Sequence, residues 1–246
     1  MKDEKADAWN ERNKGQGEPY KRYITDPLLI ELSKPYGKII LEQGCGNGHL
    51  AVKLAAEKPA KIILLDLYES NLEHARRNLA DIACELEFMQ ADLTQPLSIC
   101  SSSIDVVTSS MVLPEIEDLT TPIQETFRVL RSGGIYVLLT VHPAYALKEY
   151  LKEQFTGEPS KKIIPSRDYF DGCKREFCFR NREENQIRAP HYNRTIQDYA
   201  DVLLAAGFQL EKIIEPEITP ELLEEAPRFE EEIACPISLI IKARKI

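Results

Sequence analysis

The chain has 246 residues, 43% of them hydrophobic and 29% charged, which suits one well-cored domain and excludes both a stapled miniprotein and an unfolded chain. Its 31 Lys and Arg face 40 Asp and Glu, and the resulting net charge of -9 repels nucleic acid on average. No apolar run reaches the roughly 18 residues of a membrane helix. We therefore expect neither nucleic acid nor a membrane as a partner.

Residues 1–19 are polar and predict a mobile N-terminal arm, followed by one domain over 20–246. The arm contains no apolar stretch that would serve as a secretion signal. The six cysteines include no CxxC pair and match no standard zinc spacing. We therefore expect reduced thiols, no metal and a cytoplasmic location.

The first part of the chain predicts a layered fold. Thr25 or Asp26, followed by Pro27, predicts the cap and first residue of a helix. The strands predicted after it are 38–43, 60–66, 85–91, 104–110 and 134–141. The helices predicted between them are 49–58, 69–82 and 122–130, with a turn at 131–134. This alternation predicts a doubly wound, mostly parallel α/β sheet with helices on both faces.

The alternation stops at His142 and resumes at Thr195. The fifty residues of 143–192 are too many for a simple connection, so they predict a cap inserted after the fifth strand. The remaining predicted elements are a capped helix at 195–207, a strand at 208–217, an acidic loop and a last strand at 236–244. The complete prediction is a sheet of seven strands.

The strongest motif is ILEQGCGNGHL, in which Gly44, Gly46 and Gly48 stand between a strand and a helix. Glycines at these places permit a sharp turn and a close approach of a ligand to the backbone amides. A nicotinamide site has its third glycine one position later, where this chain has His49. The alternative is a tight strand-to-helix turn with no ligand.

Glu42 precedes these glycines, and E-x-G-x-G-x-G resembles the first motif of class I methyltransferases that use S-adenosylmethionine. Later strand ends agree with this resemblance, which implies a Rossmann-like methyltransferase fold and S-adenosylhomocysteine as product. It implies that Asp66 accepts hydrogen bonds from the ribose and that Asp92 meets the adenine amino group, with Leu93 beside the ring. Arg22 is expected near the carboxylate of the cofactor. The residues assigned to the cofactor are Arg22, Glu42, Gly44, Gly46, Gly48, Asp66, Leu67, Asp92, Leu93 and Ser109.

The segments HPAYA, RDYFD, HYNRTIQDYADVLLAAGF and CPISLIIKARK resemble a bacterial subgroup of small-molecule methyltransferases. The chain departs from that subgroup at Asn193 and Pro114, where histidines are usual. It also lacks the Asn/Asp-Pro-Pro-aromatic signature of enzymes that methylate amino groups on bases. The resemblance therefore implies methyl transfer to an oxygen or nitrogen of a small metabolite.

His142 and His191 stand at the two ends of the insertion and are the candidate general bases, or else structural or substrate-orienting groups. We expect His49 and His74 at the surface. The insertion carries ten Lys or Arg and eight Asp or Glu, a balance of +2 that favours an anionic acceptor unless it is only solvated surface charge. The aromatic residues predicted either to line the acceptor pocket or to pack within the insertion are Tyr145, Tyr169, Phe170 and Phe177.

Three other functions fit the sequence less well. A peptide or protein side chain is an alternative acceptor, and a non-catalytic module that binds S-adenosylmethionine is an alternative to an enzyme. A nicotinamide-dependent reductase ranks last because of His49. No coiled-coil or interface pattern stands out, so the sequence predicts no oligomeric state.

Overall fold

The computed structural model describes residues 18–154, 167–170, 174–180 and 186–246. Most of the predicted arm, 1–19, lies outside these ranges, as do Cys173 and the side chain of Phe177. The mobility of the arm stays a prediction.

Nine strands lie in the described part of the chain. They are β1 (Ile39–Gln43), β2 (Lys61–Asp66), β3 (Leu86–Gln90), β4 (Ile104–Ser110), β5 (Leu130–Val141), β6 (Lys174–Arg180), β7 (Gln186–Tyr192), β8 (Phe208–Ile214) and β9 (Ser238–Lys245). Seven of them form one sheet in the order β3-β2-β1-β4-β5-β9-β8, in which β9 runs antiparallel to both its neighbours. β6 and β7 form a separate antiparallel hairpin. The predicted seven-stranded, mostly parallel sheet is confirmed.

Helices connect the strands and cover the sheet. The α-helices of the described residues are α1 (Asp26–Ser33), α2 (His49–Ala56), α3 (Glu69–Asn78), α4 (Thr120–Val129), α5 (Pro143–Gln154), α6 (Arg167–Phe170), α7 (Ile196–Ala205) and α8 (Pro220–Glu225). A π-helical turn, Lys21–Thr25, leads directly into α1, and two 3-10 turns lie at Leu113–Glu115 and Pro227–Glu232.

Alternation along the strands separates the core into two halves, one on each face of the sheet. On β1, Ile40 packs with the apolar residues of α1, α2 and α3, whereas Leu41 packs with those of α4 and α7. Glu42 follows Ile40 by two residues, so its side chain is directed toward the α1 face. Gln43 shares the side of Leu41, and its Nε2 donates to Thr126 Oγ1 of α4 at 2.9 Å.

The capped helix predicted from Thr195 is present as α7. The Thr195 hydroxyl accepts the Asp198 N–H at 3.1 Å, and the Asp198 carboxylate accepts the Thr195 N–H at 2.7 Å. This reciprocal pair satisfies two donors that a helix start leaves without intrahelical partners.

The first α-helix begins where it was predicted, with Thr25 at the N-cap position and Pro27 in its first turn, but without the expected side-chain cap. The helical chain begins before Thr25, and neither Thr25 nor Asp26 caps a helix with its side chain, because the π-helical turn continues into α1. Asp26 instead binds side chains of α2. The residue types therefore match a helix cap, but the side chain of Asp26 has its hydrogen-bond partners on α2.

Two boundaries differ from the prediction. Residues 131–134, expected to form a turn, lie within the range of β5 but pair with no residue of β4, since Ile104 pairs with Leu130 and Val106 pairs with Ile135. The predicted acidic loop before β9 contains α8 and a 3-10 turn. Leu222 and Phe229 of this segment pack on Tyr20 and Ile24, and the Tyr20 hydroxyl lies 2.8 Å from Ser238 Oγ.

The fold predicts opposite effects for two adjacent leucines of α7. Leu203 is fully buried against the α4 side of the sheet, whereas Leu204 is 53% exposed. We expect Leu203→Ala to lower the free energy of unfolding by about 2–5 kcal/mol because it leaves a cavity. Leu204→Ala should change it by less than about 0.5 kcal/mol. Urea denaturation measures both, and equal losses would contradict this packing.

Candidate active site

The chain reverses its direction across the sheet between β1 and β4. β2 and β3 extend to one side of β1, and β5 extends beyond β4 on the other. In open α/β sheets a crevice forms at such a reversal, outside the carboxyl ends of the strands. Gln43, the last residue of β1, pairs with Leu65 of β2 and Ser109 of β4, so the glycine motif enters this crevice.

The three glycines of the motif all have positive φ, but they serve different purposes. A Cβ on Gly44 would lie 2.1 Å from Val112 Cγ2, and one on Gly48 would lie 2.9 Å from Leu79 Cδ1. Glycine at these two positions therefore lets the loop pack against the protein. A Cβ on Gly46, with φ of 53°, would meet no heavy atom within 4 Å, so this residue faces the open crevice.

The Asp66 carboxylate fixes the loop. Its Oδ2 accepts the Gly46 N–H at 2.9 Å, while Oδ1 accepts the Tyr68 N–H and the Asn71 side-chain amide, each at 3.0 Å. A carboxylate has about four acceptor positions, so Asp66 retains about one for a ligand hydroxyl. Contact with both ribose hydroxyls, as predicted, would require exchange of one of these bonds.

Glu42 is a buried carboxyl group beside the loop. It is 3% exposed, and its Oε2 has no hydrogen-bond partner among the described residues. Burial, opposed by the charge of Lys21 and reinforced by Asp26 and Asp66, raises the pKa of Glu42 to about 8. Such an atom is unusual in a folded protein and points to a ligand donor at this position.

Asp26 is a second buried acid near the motif, and the sequence analysis did not assign it to the site. Its Oδ2 accepts from Lys53 Nζ at 2.6 Å and lies 3.1 Å from His49 Nε2. Its Oδ1 is buried without a partner in the described chain, and the residue is 1% exposed. His49, expected at the surface, is instead half-buried by this contact; His74 is also half-buried.

The residues predicted for adenine follow β2 and β3. Leu67 is 44% exposed directly after Asp66. Asp92 is exposed, and its Oδ1 accepts both the N–H and the hydroxyl of Thr94 at 2.8 Å, whereas Leu93 is buried in the core. The Ala91 N–H donates to the Asp66 carbonyl at 3.0 Å, which joins the two strand ends. Their contacts with adenine stay predictions.

The end of β4 forms the neighbouring wall. Ser109 is 1% exposed, so its hydroxyl lies beneath this wall, and Ser110 is half-buried. Met111 has a φ of 61°, which is strained for a residue with a side chain, and its N–H donates to the Leu139 carbonyl at 2.8 Å. No residue pattern in the sequence signals this strain, so Met111 was missed.

The two candidate catalytic histidines are both buried. His142 Nδ1 accepts the Ala144 N–H at 3.2 Å, and its Nε2 lies 2.7 Å from Glu215 Oε1, so both ring nitrogens are engaged. His191 is on β7, which packs against the 3-10 turn at Leu113–Glu115. Their catalytic roles stay predictions.

Arg194 fastens the end of the insertion to the loop that follows β4. Its guanidinium donates to the carbonyls of Leu113 at 3.2 Å and Glu117 at 2.7 Å, and also to that of Ile116. The Tyr192 hydroxyl adds a 3.1 Å contact to the Glu117 carboxylate. Residues 191–194 are therefore held beside the β4 wall.

Arg22, predicted near the cofactor carboxylate, lies in the π-helical turn. Its guanidinium forms an ion pair with Glu225 of α8 and lies 5.1 Å from the centroid of the Tyr23 ring. Its contact with the cofactor stays a prediction. In the aromatic set, Tyr169 packs edge-to-face on Phe170, which is 73% exposed, and Lys148 lies over Tyr145.

The sequence profile of the family described as methyltransferase domain matches residues 36–192. The chain belongs to this methyltransferase family. A crystal structure from Listeria monocytogenes, provisionally described as an S-adenosylmethionine dependent methyltransferase, is 26% identical, with a TM-score of 0.71 over 89% of this chain and 96% of its own. An S-adenosylmethionine dependent methyltransferase from Mesorhizobium loti is 23% identical, with a TM-score of 0.72 over 94% and 99%.

Among curated relatives, the ubiquinone biosynthesis O-methyltransferase of Vibrio cholerae is 29% identical over 56% of this methyltransferase and 55% of its own length. The predicted enzyme class and cofactor are confirmed by the family and these neighbours. The enzyme is an S-adenosylmethionine-dependent methyltransferase of class I.

The residues of the crevice fit this cofactor. The open space at Gly46 admits a ligand against the backbone. The oxygens of Glu42 and Asp26 that have no partner in the described part of the chain suit a cationic hydrogen-bond donor. Among the described residues, no group of His, Cys, Asp or Glu is arranged to hold a metal ion. The described helices include none long and apolar enough to cross a membrane.

Two glycine substitutions distinguish the ligand-facing position from backbone strain. Gly46 and Gly133 both have positive φ and open space around a Cβ, so alanine costs each about 1–2 kcal/mol of backbone strain. We expect Gly46→Ala to weaken S-adenosylhomocysteine binding about tenfold or more because its methyl group enters the crevice, whereas Gly133→Ala should retain affinity. Calorimetry measures both, and equal affinities would contradict the placement of the ligand.

Proposed function

We propose that the enzyme transfers the methyl group of S-adenosylmethionine to an oxygen or nitrogen atom of a small-molecule metabolite. The observation that carries this proposal is the attachment of residues 191–194 to the loop after β4 through Arg194. In this proposal, residues 191–194 held in this way form one side of the acceptor site in front of the β4 wall, which would suit a small acceptor. The O-methyltransferase relative from Vibrio cholerae supports the same class of acceptor.

Several residues would hold the cofactor. In this proposal the Gly46 backbone and the Asp66 carboxylate receive the nucleoside, with Leu67, Asp92 and Leu93 on the adenine side. Glu42 receives the amino-acid part, and Arg22 exchanges Glu225 for the ligand carboxylate. When bound, the cofactor supplies a methyl group already activated by its positive sulfur.

Because the donor is activated, the main task of the protein is to orient the acceptor and exclude water. Correct positioning of two reactants supplies roughly 7–11 kcal/mol of a barrier. The strained backbone at Met111 and the loop fixed by Arg194 provide rigid walls for this purpose. In the proposal, 143–192 acts as the cap that keeps water out.

A hydroxyl acceptor would benefit from a general base. His142 has no nitrogen lone pair available unless the Ala144 amide is displaced, because Nδ1 accepts that amide and Nε2 faces Glu215. We therefore assign His142 to holding the start of α5. The favoured base is His191, because it lies on β7, which packs against the 3-10 turn that follows β4. An amine acceptor that is already neutral would need no general base.

The acceptor would be anionic, and the enzyme would be located in the cytoplasm. The balance of +2 in 143–192 supports an anionic acceptor, and the free thiols of Cys45, Cys84, Cys100 and Cys235 support a reducing compartment such as the cytoplasm. The alternatives are a peptide acceptor and a non-catalytic role. The following experiment distinguishes both from transfer to a small molecule.

Incubation of the enzyme with methyl-labelled S-adenosylmethionine and a bacterial metabolite extract tests the acceptor class. We expect the label in a compound of low molecular mass, with release of S-adenosylhomocysteine, and mass spectrometry detects both. Asp66→Asn, which should bind the cofactor more weakly and transfer less label, serves as the control. Label found in protein alone would replace the proposed acceptor, and cofactor binding with no transfer would favour a non-catalytic role.

The labelled product then allows the two histidines to be compared. For a hydroxyl acceptor, His191→Gln should lower kcat by about 10²- to 10⁴-fold, the usual contribution of a general base. His142→Asn keeps an acceptor for the Ala144 amide and should lower kcat less than tenfold. Steady-state kinetics from pH 6 to pH 9 measures both variants. The reverse order of effects would contradict the assignment.

A further inference from the structure

Two buried acids approach the glycine loop from different parts of the chain. Glu42 ends β1, and Asp26 begins α1 on the face of the sheet toward which Glu42 is directed. Each has one oxygen without a hydrogen-bond partner in the described chain, Oε2 of Glu42 and Oδ1 of Asp26. Two such oxygens in a low-dielectric environment are costly unless a donor fills the site.

Burial, reinforced by two neighbouring negative charges, explains why Glu42 resists ionisation when no ligand is bound. Asp26 and Asp66 are both negative and near enough to raise its pKa, and Lys21 only partly offsets them and the burial. Asp26 differs, because bonds from His49 and Lys53 and the charge of Lys21 outweigh its burial and keep its pKa below the usual value. The pair therefore carries one negative charge on Asp26 and one proton on Glu42 near neutral pH.

We propose that Glu42 and Asp26 form a proton-linked subsite for the ammonium group of the cofactor, and that Glu42 releases its proton as this group binds. The ammonium group has three N–H donors, enough to bond the one oxygen of each acid that has no partner among the described residues. The positive sulfur has no such donor. The proton passes from the Glu42 carboxyl to the buffer, and the new carboxylate neutralises the incoming charge. The inference rests on the cofactor-binding part of the proposed function.

Calorimetry with S-adenosylhomocysteine tests this subsite, because this product cannot react. At pH 7, titrations in three buffers of different ionisation enthalpy should show release of about one proton per ligand. The association constant should rise with pH between about 6 and 8, by up to about tenfold per unit. Absence of binding would refute the proposed function, whereas binding without proton release would refute only the subsite.

Variants identify the source of the proton. Glu42→Gln should bind more weakly, release almost no proton and lose the pH dependence. Asp26→Asn should weaken binding and reduce the released fraction, because Glu42 then ionises more readily without ligand. Glu31→Gln, at an exposed position on α1, is the matched control and should behave as wild type. Unchanged proton release in Glu42→Gln would overturn the proposal.

Two further ligands identify the group that is recognised. S-adenosylmethionine adds the sulfonium charge and should release the same amount of proton as S-adenosylhomocysteine. Methylthioadenosine lacks the ammonium group and should bind without proton release. Release caused by S-adenosylmethionine alone, or by methylthioadenosine, would contradict recognition of the ammonium group.

Stability measurements test the same carboxyl without any ligand. The pKa of Glu42 is about 8 in the folded protein and near 4.5 in an unfolded chain, so its proton is lost first from the unfolded state as pH rises. Folded wild-type protein therefore loses stability between these pH values, and Glu42→Gln does not. The denaturation midpoint of Glu42→Gln minus that of wild type should increase as the pH rises from about 5 to about 8. A constant difference would contradict the buried, protonated state.

Discussion

One carboxylate joins the two strand ends on which the whole site depends. Asp66, at the end of β2, accepts the Gly46 amide from the loop after β1 and two more donors from the chain that follows it. The crevice at the reversal of strand order would exist without this contact. Its floor would be less well fixed, because glycine has more backbone freedom than any other residue type. Asp66 thus converts a flexible turn into a rigid floor.

The sequence predicted the sheet because strand and helix periodicities differ, and it predicted the loop because few residues permit its backbone. It could not reveal the partners of individual side chains. The steric reason for Gly44 is Val112, which lies far along the chain, and Asp26 matched a helix cap while binding Lys53 and His49 instead. Long-range packing decided each of these cases.

The regular strands of the fold supply the cofactor side of the site, whereas loops supply the proposed acceptor side. On the cofactor side, β1 and β2 supply residues at fixed register. On the proposed acceptor side, the described walls are the loop after β4 and residues 191–194, which Arg194 joins. Loops placed on a rigid scaffold vary most freely between relatives. The fold therefore fixes the residues proposed for the cofactor more closely than those proposed for the acceptor.

The central claim is that the glycine loop, held by Asp66, binds the cofactor with its nucleoside over Gly46 and its amino-acid part at the buried acids. A crystal structure of the enzyme with S-adenosylhomocysteine tests this claim most directly. The account predicts electron density for the ribose beside Asp66 and for the amino group within hydrogen-bond distance of Glu42. Density in a different cleft, or a ribose far from Asp66, would contradict it.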